Sequence, residues 1–163
     1  MTYDSAIKAL SQDALKFVKN NQVIGLGSGR AATAFVKSLS SYVKKNKIHV
    51  KCIPTSLQIK LEAEKGKLHL MDTVQDQIDV VFDGADQIDK QKNLIKGGGG
   101  ALLRENILIS AAKKVIIMAD DSKFVTNFEA SAIMTTFFAA LMRIFSLNSA
   151  PPPPFIKFFA LSI

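Results

Sequence analysis

The chain has 163 residues, a formal net charge of +7, 48% hydrophobic and 21% charged residues. That is a globular composition, long enough for one domain with a real core. Cys52 is the only cysteine, which excludes an intramolecular disulfide and a CxxC ligand set, and His49 and His69 are too few and too isolated for a metal site. The basic excess favours acidic partners. No block of five or six basic residues occurs, Lys44-Lys45 with Lys47 being the densest cluster, so a phosphate ester is expected rather than nucleic acid.

Residues 4–19 place Ala6, Leu10, Ala14, Phe17 and Val18 at helical spacing, with Asp4 able to cap the start. Before them, Met-Thr-Tyr-Asp-Ser lacks a basic region followed by an apolar run, so a cytoplasmic protein is expected. Residues 22–26 read as a short buried strand, Gly27-Ser28-Gly29 as a turn and residues 31–44 as a helix. A strand follows at 48–53, then Pro54-Thr55-Ser56, a helix at 57–65 stopped by Gly66, and a short strand at 67–71. Residues 78–82 form an apolar strand ending in Asp83-Gly84-Ala85-Asp86. A helix is predicted over 101–113 and a last strand over 115–119, ending in Asp120-Asp121-Ser122-Lys123. Strands alternating with helices predict an α/β fold with a largely parallel sheet. Ligands of such sheets bind beyond the carboxyl ends of the strands, where each polar, glycine-rich motif falls.

The chain changes character near residue 130. Residues 1–129 hold all 14 acidic residues, whereas residues 130–163 hold only Arg143 and Lys157 as charges. The segment 132–145 is apolar but short for a membrane span. Pro151 to Pro154 ends any helix. Three readings of this tail stay open: a docking helix with an extended arm, a weakly membrane-associating segment, or sequence foreign to the ancestral fold. The abrupt change favours the third.

Four motifs carry the chemistry. Gly25-Leu-Gly-Ser-Gly-Arg30, between a strand and a helix, is a natural phosphate cradle, although it matches neither the dinucleotide fingerprint nor the P-loop. An ordinary tight strand–helix turn is its plain alternative. Asp83 and Asp86 at a strand end suit proton handling better than metal binding, because no histidine lies nearby and the other motifs are basic. Lys96-Gly-Gly-Gly-Gly-Ala-Leu-Leu-Arg-Glu105 is the most informative stretch. Glycines there allow positive φ and close backbone approach, and a lysine and a carboxylate flank them. A carboxylate can remove a proton beside a carbonyl, and a lysine can stabilise the oxyanion that develops. Lys123 is placed to pair with a phosphate or to be solvated. Thr55 and Ser56 are lesser candidates, with capping of the next helix the better reading.

In their order along residues 1–128 these motifs resemble ribose-5-phosphate isomerase of the A type. The landmarks are Gly-Leu-Gly-Ser-Gly at 25–29, Pro-Thr-Ser at 54–56, Asp-Gly-Ala-Asp at 83–86, the 96–105 stretch and Asp-Xaa-Ser-Lys at 120–123. The resemblance implies a Rossmann-like three-layer sandwich. It implies isomerisation of ribose 5-phosphate and ribulose 5-phosphate in the non-oxidative pentose phosphate pathway, with no metal and no organic cofactor. By position it implies Glu105 as the general base, Asp83 and Lys96 as assisting proton movement and holding the enediolate oxygens, and Asp86 as helping to open the furanose ring or binding its hydroxyls. Ser28, Gly29, Arg30, Ala31, Gly84, Ala85, Gly97, Gly98, Gly99 and Lys123 would contact the substrate, with the phosphate near the first loop or Lys123. Arg30 and Ala31 stand where the family has hydroxyl residues, so Arg30 is expected to replace them as a cationic phosphate ligand. Asn106 stands where lysine is frequent.

The resemblance implies two regions: an isomerase α/β domain at 1–129 and a divergent apolar, proline-containing tail at 130–163. The family's usual C-terminal α+β subdomain, which covers the site and helps form oligomers, is not recognisable in that tail. A chain that is poorly stable or inactive unless the tail substitutes is therefore expected, and the family's homo-oligomer is in doubt. The competing readings are a non-catalytic sugar-phosphate sensor on the same fold, against which the joint retention of Asp83, Asp86, Lys96 and Glu105 argues, and a membrane-associated or aggregating fragment driven by the tail.

Overall fold

The computed structural model describes residues 3–72, 77–97 and 100–128, and a strand at 157–162. In chain order the elements are α1 (Tyr3–Ala14), β1 (Gln22–Leu26), α2 (Gly29–Asn46), β2 (Val50–Pro54), α3 (Leu57–Lys65), β3 (His69–Leu70), β4 (Val80–Gly84), β5 (Gln87–Ile88), β6 (Leu94–Ile95), α4 (Leu102–Ser110), β7 (Lys114–Ala119) and β8 (Lys157–Ser162). The main sheet runs β3-β2-β1-β4-β7-β8. Its first five strands are parallel, and β8 is antiparallel to β7.

Period-2 alternation sorts the strand side chains between two cores. Ile24, Leu26, Val80, Phe82, Ile116 and Met118 face α1, α2 and α3 in one core, where Phe82 stacks on Phe35 with ring centroids 4.2 Å apart. Val23, Val81, Val115 and Ile117 face Leu108 and Ile109 of α4 and the β5–β6 hairpin in the other. Helices on both faces of a largely parallel sheet make the predicted α/β sandwich. The same alternation decides the site: Asp83, two residues after Val81, belongs to the α4 face.

The elements depart from the sequence reading at their ends. The helix predicted over 4–19 stops at Ala14 and continues as one 3-10 turn, Leu15–Phe17, which sends Leu15 and Val18 into the core. α1 begins at Tyr3, so Asp4 falls within the helix and not before it. α2 begins at Gly29, two residues earlier than predicted, and this makes Gly29 and Arg30 its first residues. The strand predicted over 67–71 shortens to His69–Leu70, because Lys67 turns through a left-handed φ of 58°. α4 ends at Ser110 instead of 113, since Ala111 O accepts from the Ile78 N–H and the Lys113 N–H donates to Ile78 O, which sets Ala112 in a parallel bridge with Ile78. Ser56 accepts from the Ile59 N–H and caps α3, as expected, while the buried Thr55 hydroxyl donates to Leu26 O. The histidines are exposed, His69 on an edge strand.

The tail contributes β8, paired along the whole of β7 from Lys114–Ser162 to Ala119–Lys157. The sequence reading had taken β7 as the last strand. The remaining tail expectations, the apolar segment 132–145 and the polyproline run among them, lie outside the described residues. Among the described residues no helix is long and apolar enough to cross a membrane.

Candidate active site

Chain order and strand order part company at β1. β2 and β3 lie on one side of it and β4 on the other. The loops leaving the carboxyl ends of β1 and β4 therefore diverge, and a crevice opens between them. A cavity of about 240 Å3 occupies this position. The Ser28–Ala31 turn forms one wall and the Asp83–Asp86 turn another; Lys96, Gly97 and Glu105 line the α4 side, and Asp120 and Lys123 come from the turn after β7. All the predicted site residues that are described thus meet in one cavity, including Gly29, Arg30, Gly84 and Ala85. Gly98 and Gly99 lie outside the described residues. The sequence reading missed Ile7, Leu10 and Met118, which also line the cavity. Ile7 and Leu10 belong to the apolar stripe of α1, which looks like core from the sequence because most of it is.

Three ionisable side chains are buried together: Asp83 at 1%, Lys96 at 8% and Glu105 at 3% exposure. Lys96 Nζ lies 2.6 Å from Asp83 Oδ2 and 3.3 Å from Glu105 Oε2, and donates to Gly84 O at 2.7 Å. Only the Gly84 carbonyl is hydrogen-bonded to the ammonium; Asp83 Oδ2 and Glu105 Oε2 are paired with it by charge and are buried without a hydrogen bond of their own. Asp83 Oδ1 accepts from the backbone N–H of Gly84 at 2.7 Å and of Ser28 at 3.3 Å. Asp83 is thus hydrogen-bonded at Oδ1 and ion-paired with Lys96 at Oδ2. Glu105 stands in the first turn of α4, where the helix dipole favours a carboxylate, and its Oε1 accepts from Ser28 Oγ at 2.5 Å.

Two carboxylates share one ammonium, and the pKa values follow from that imbalance. Burial pushes the Asp83 carboxyl above the usual range; Lys96 pulls it back and the negative charge of Glu105 pushes it up again, with a net rise. Burial alone would lower Lys96, but the two carboxylates outweigh it and hold its pKa above that of an ordinary lysine. Lys96 is therefore a fixed cation, and the proton-accepting capacity of the cluster lies with its carboxylates.

Gly27 is a site residue that the sequence reading passed over. A Cβ there would overlap the Asp83 carboxylate and stand 2.7 Å from its Cα. The backbone atom leaves no rotamer by which Asp83 could escape. Gly27→Ala is expected to cost about 1–3 kcal/mol in urea unfolding and to dislodge Asp83 from Lys96. Gly29→Ala, at φ 82° but with nothing within 4 Å, should cost only about 1 kcal/mol of backbone strain. Equal costs for the two would contradict the close approach.

Asp86 and Arg30 lie at the exposed mouth of the cavity, and Lys123 is half-buried. The cavity thus has a buried proton-handling wall and a more exposed side that carries cations. It adjoins the N-terminus of the 18-residue α2, whose first N–H groups have no intrahelical acceptor.

Among known proteins, the ribose 5-phosphate isomerase A (phosphoriboisomerase A) family model matches residues 51–137. Ribose-5-phosphate isomerase A of Pyrococcus horikoshii is 39% identical over 99 residues, covering 60% of this chain and 43% of that protein. The chain thus spans less than half the length of this relative. The structure of ribose 5-phosphate isomerase A from Methanocaldococcus jannaschii superposes with a TM-score of 0.75 at 32% identity, covering 78% of this chain and 57% of that one. A D-ribose-5-phosphate isomerase solved in complex with phospho-erythronic acid gives a TM-score of 0.75 at 30% identity, covering 98% and 80%. With the family model matching more than half of its residues, the chain belongs to the ribose 5-phosphate isomerase A family.

Proposed function

We propose that this chain interconverts D-ribose 5-phosphate and D-ribulose 5-phosphate through an enediolate. The observation that carries this reading is the buried Asp83–Lys96–Glu105 cluster on the wall of a cavity that also holds Arg30 and Lys123. Glu105 takes the proton from C2 of the open-chain aldose and returns it to C1. Lys96 holds the negative charge that develops on the substrate oxygens. Its contact with Glu105 is the longest of its three and is the one exchanged for substrate. Asp83, held by two backbone N–H groups, keeps the ammonium in place. Asp86, at the mouth, serves ring opening. Gly84, Ala85 and Gly97 bring backbone against the sugar. The reaction asks for no cofactor.

The phosphate sits at the start of α2, against the N–H groups of Gly29 to Ala31, with Arg30 and Lys123 supplying charge. The solved relative that holds phospho-erythronic acid supports a phosphorylated ligand in this fold. Binding energy from the phosphate, remote from C1 and C2, positions the reacting carbons. Arg30→Ala is expected to raise KM for ribose 5-phosphate about tenfold with kcat nearly unchanged. An unchanged KM removes Arg30 from the phosphate site.

The test is incubation of the chain with ribose 5-phosphate in deuterium oxide. Ribulose 5-phosphate carrying deuterium at C1 is expected, because a carboxylate base exchanges its proton with solvent. Ligand binding by calorimetry with no ketose formed would replace the isomerase with a sugar-phosphate sensor.

A further inference from the structure

We propose that Ser28 is a positioning residue for the Glu105 carboxylate, and not a ligand of the substrate phosphate. The inference rests on the isomerase reading for its kinetic consequence, but not for its geometry.

Ser28 stands at the N-cap of α2, where a serine hydroxyl ordinarily accepts a bond from the first helical turn. It makes no such bond. It donates to Glu105 Oε1 at 2.5 Å, across 77 residues of sequence. The backbone N–H of the same residue donates to Asp83 Oδ1. Ser28 therefore touches both carboxylates of the cluster, one through its main chain and one through its side chain. The preceding Gly27 makes this possible, since a Cβ there would strike Asp83 and lift the loop away.

The consequence is a base hydrogen-bonded at one oxygen and ion-paired at the other. Oε1 takes the Ser28 hydroxyl, and Oε2 faces the Lys96 ammonium. A carboxylate gripped in this way cannot rotate freely about its last torsion, so its lone pairs keep one aim toward the cavity. A hydroxyl has a single proton. While Ser28 donates it to Glu105, none remains for a phosphate. Phosphate recognition then falls to the backbone of the α2 start, Arg30 and Lys123.

The experiment measures inorganic phosphate binding by calorimetry and isomerase kinetics for the wild type, Ser28→Ala and Ser28→Thr. Ser28→Gly, which a helix start tolerates, repeats the measurements should alanine disturb α2. Phosphate affinity is expected to stay within about twofold of the wild type without the hydroxyl. A loss of about tenfold or more, restored by threonine, would make Ser28 a phosphate ligand and overturn the proposal. In isomerase assays, Ser28→Ala should lower kcat about 10- to 100-fold with KM within about twofold, and Ser28→Thr should restore it. An unchanged kcat, or a raised KM with kcat unmoved, also overturns the proposal. Should the wild-type chain bind without turnover, the isomerase reading fails while phosphate binding still decides the role of Ser28.

Discussion

Glu105→Gln is expected to lower kcat by about a thousandfold while leaving the fold intact or slightly firmer. The amide is isosteric and can keep both of its neighbours. Its oxygen accepts from Lys96, and its NH2 donates to the Ser28 hydroxyl, which can accept as well as donate. What it loses is proton affinity. The charge balance of the cluster improves at the same time. Asp83 and Lys96 then form a one-to-one pair, and the negative charge that pushes the Asp83 carboxyl upward is gone. The sign follows from linkage. A carboxyl whose folded pKa exceeds its unfolded value contributes stability at low pH, and this is lost as pH rises through the folded pKa. Removing one cause of that rise shrinks the loss, so at neutral pH the variant should unfold at an equal or higher urea concentration. A stable variant that keeps its turnover would deny Glu105 the role of base. One that loses both turnover and stability would make Glu105 a structural anion.

Much of this site was legible in the sequence because its chemistry sits on the sheet's own grammar. Gly25 to Arg30, Asp83 to Asp86 and Asp120 to Lys123 each follow an apolar strand, and parallel strands deliver their carboxyl ends to one edge. The β5–β6 hairpin was not legible. Its strands have two residues each, too short for any period, and its turn is fixed by Asp89, whose two oxygens accept from the backbone and side-chain N–H groups of Asn93. The end of α4 was misread for a related reason. Ala111, Ala112 and Lys113 are good helix formers, but Lys113 N–H and Ile78 O meet across the sheet edge, and tertiary pairing prevails over propensity. The partnership of Ser28 with Glu105 leaves no local trace either. Two residues 77 apart meet only because β1 ends and α4 begins at the crevice.

Lys96→Met should be the most damaging single change to stability. It keeps the length of the side chain and removes the one cation that Asp83 and Glu105 share. Breaking a buried ion cluster from the side of its lone counter-ion leaves two uncompensated carboxylates, at about 3–5 kcal/mol near neutral pH. The pH dependence then departs from that of the wild type. In the wild type Lys96 has a folded pKa above its ordinary value. Its stabilisation is therefore complete below the ordinary lysine pKa and is lost only as pH rises through the higher folded value, in the alkaline range. In Lys96→Met the ammonium that lowers the Asp83 carboxyl is gone, and only the Gly84 N–H still lowers it against the burial and the Glu105 charge that raise it. Folding then favours a protonated Asp83, and stability should be greatest in acid and fall as pH rises toward neutrality. Urea unfolding at about pH 5 and about pH 8 separates the two cases. The variant's deficit should be markedly smaller at the lower pH, and Lys96→Met combined with Glu105→Gln should recover part of it at the higher one, because only a single buried carboxylate then remains. An equal deficit at both pH values, unrelieved in the double variant, would mean that Lys96 holds the fold through packing of its stem and not through its charge.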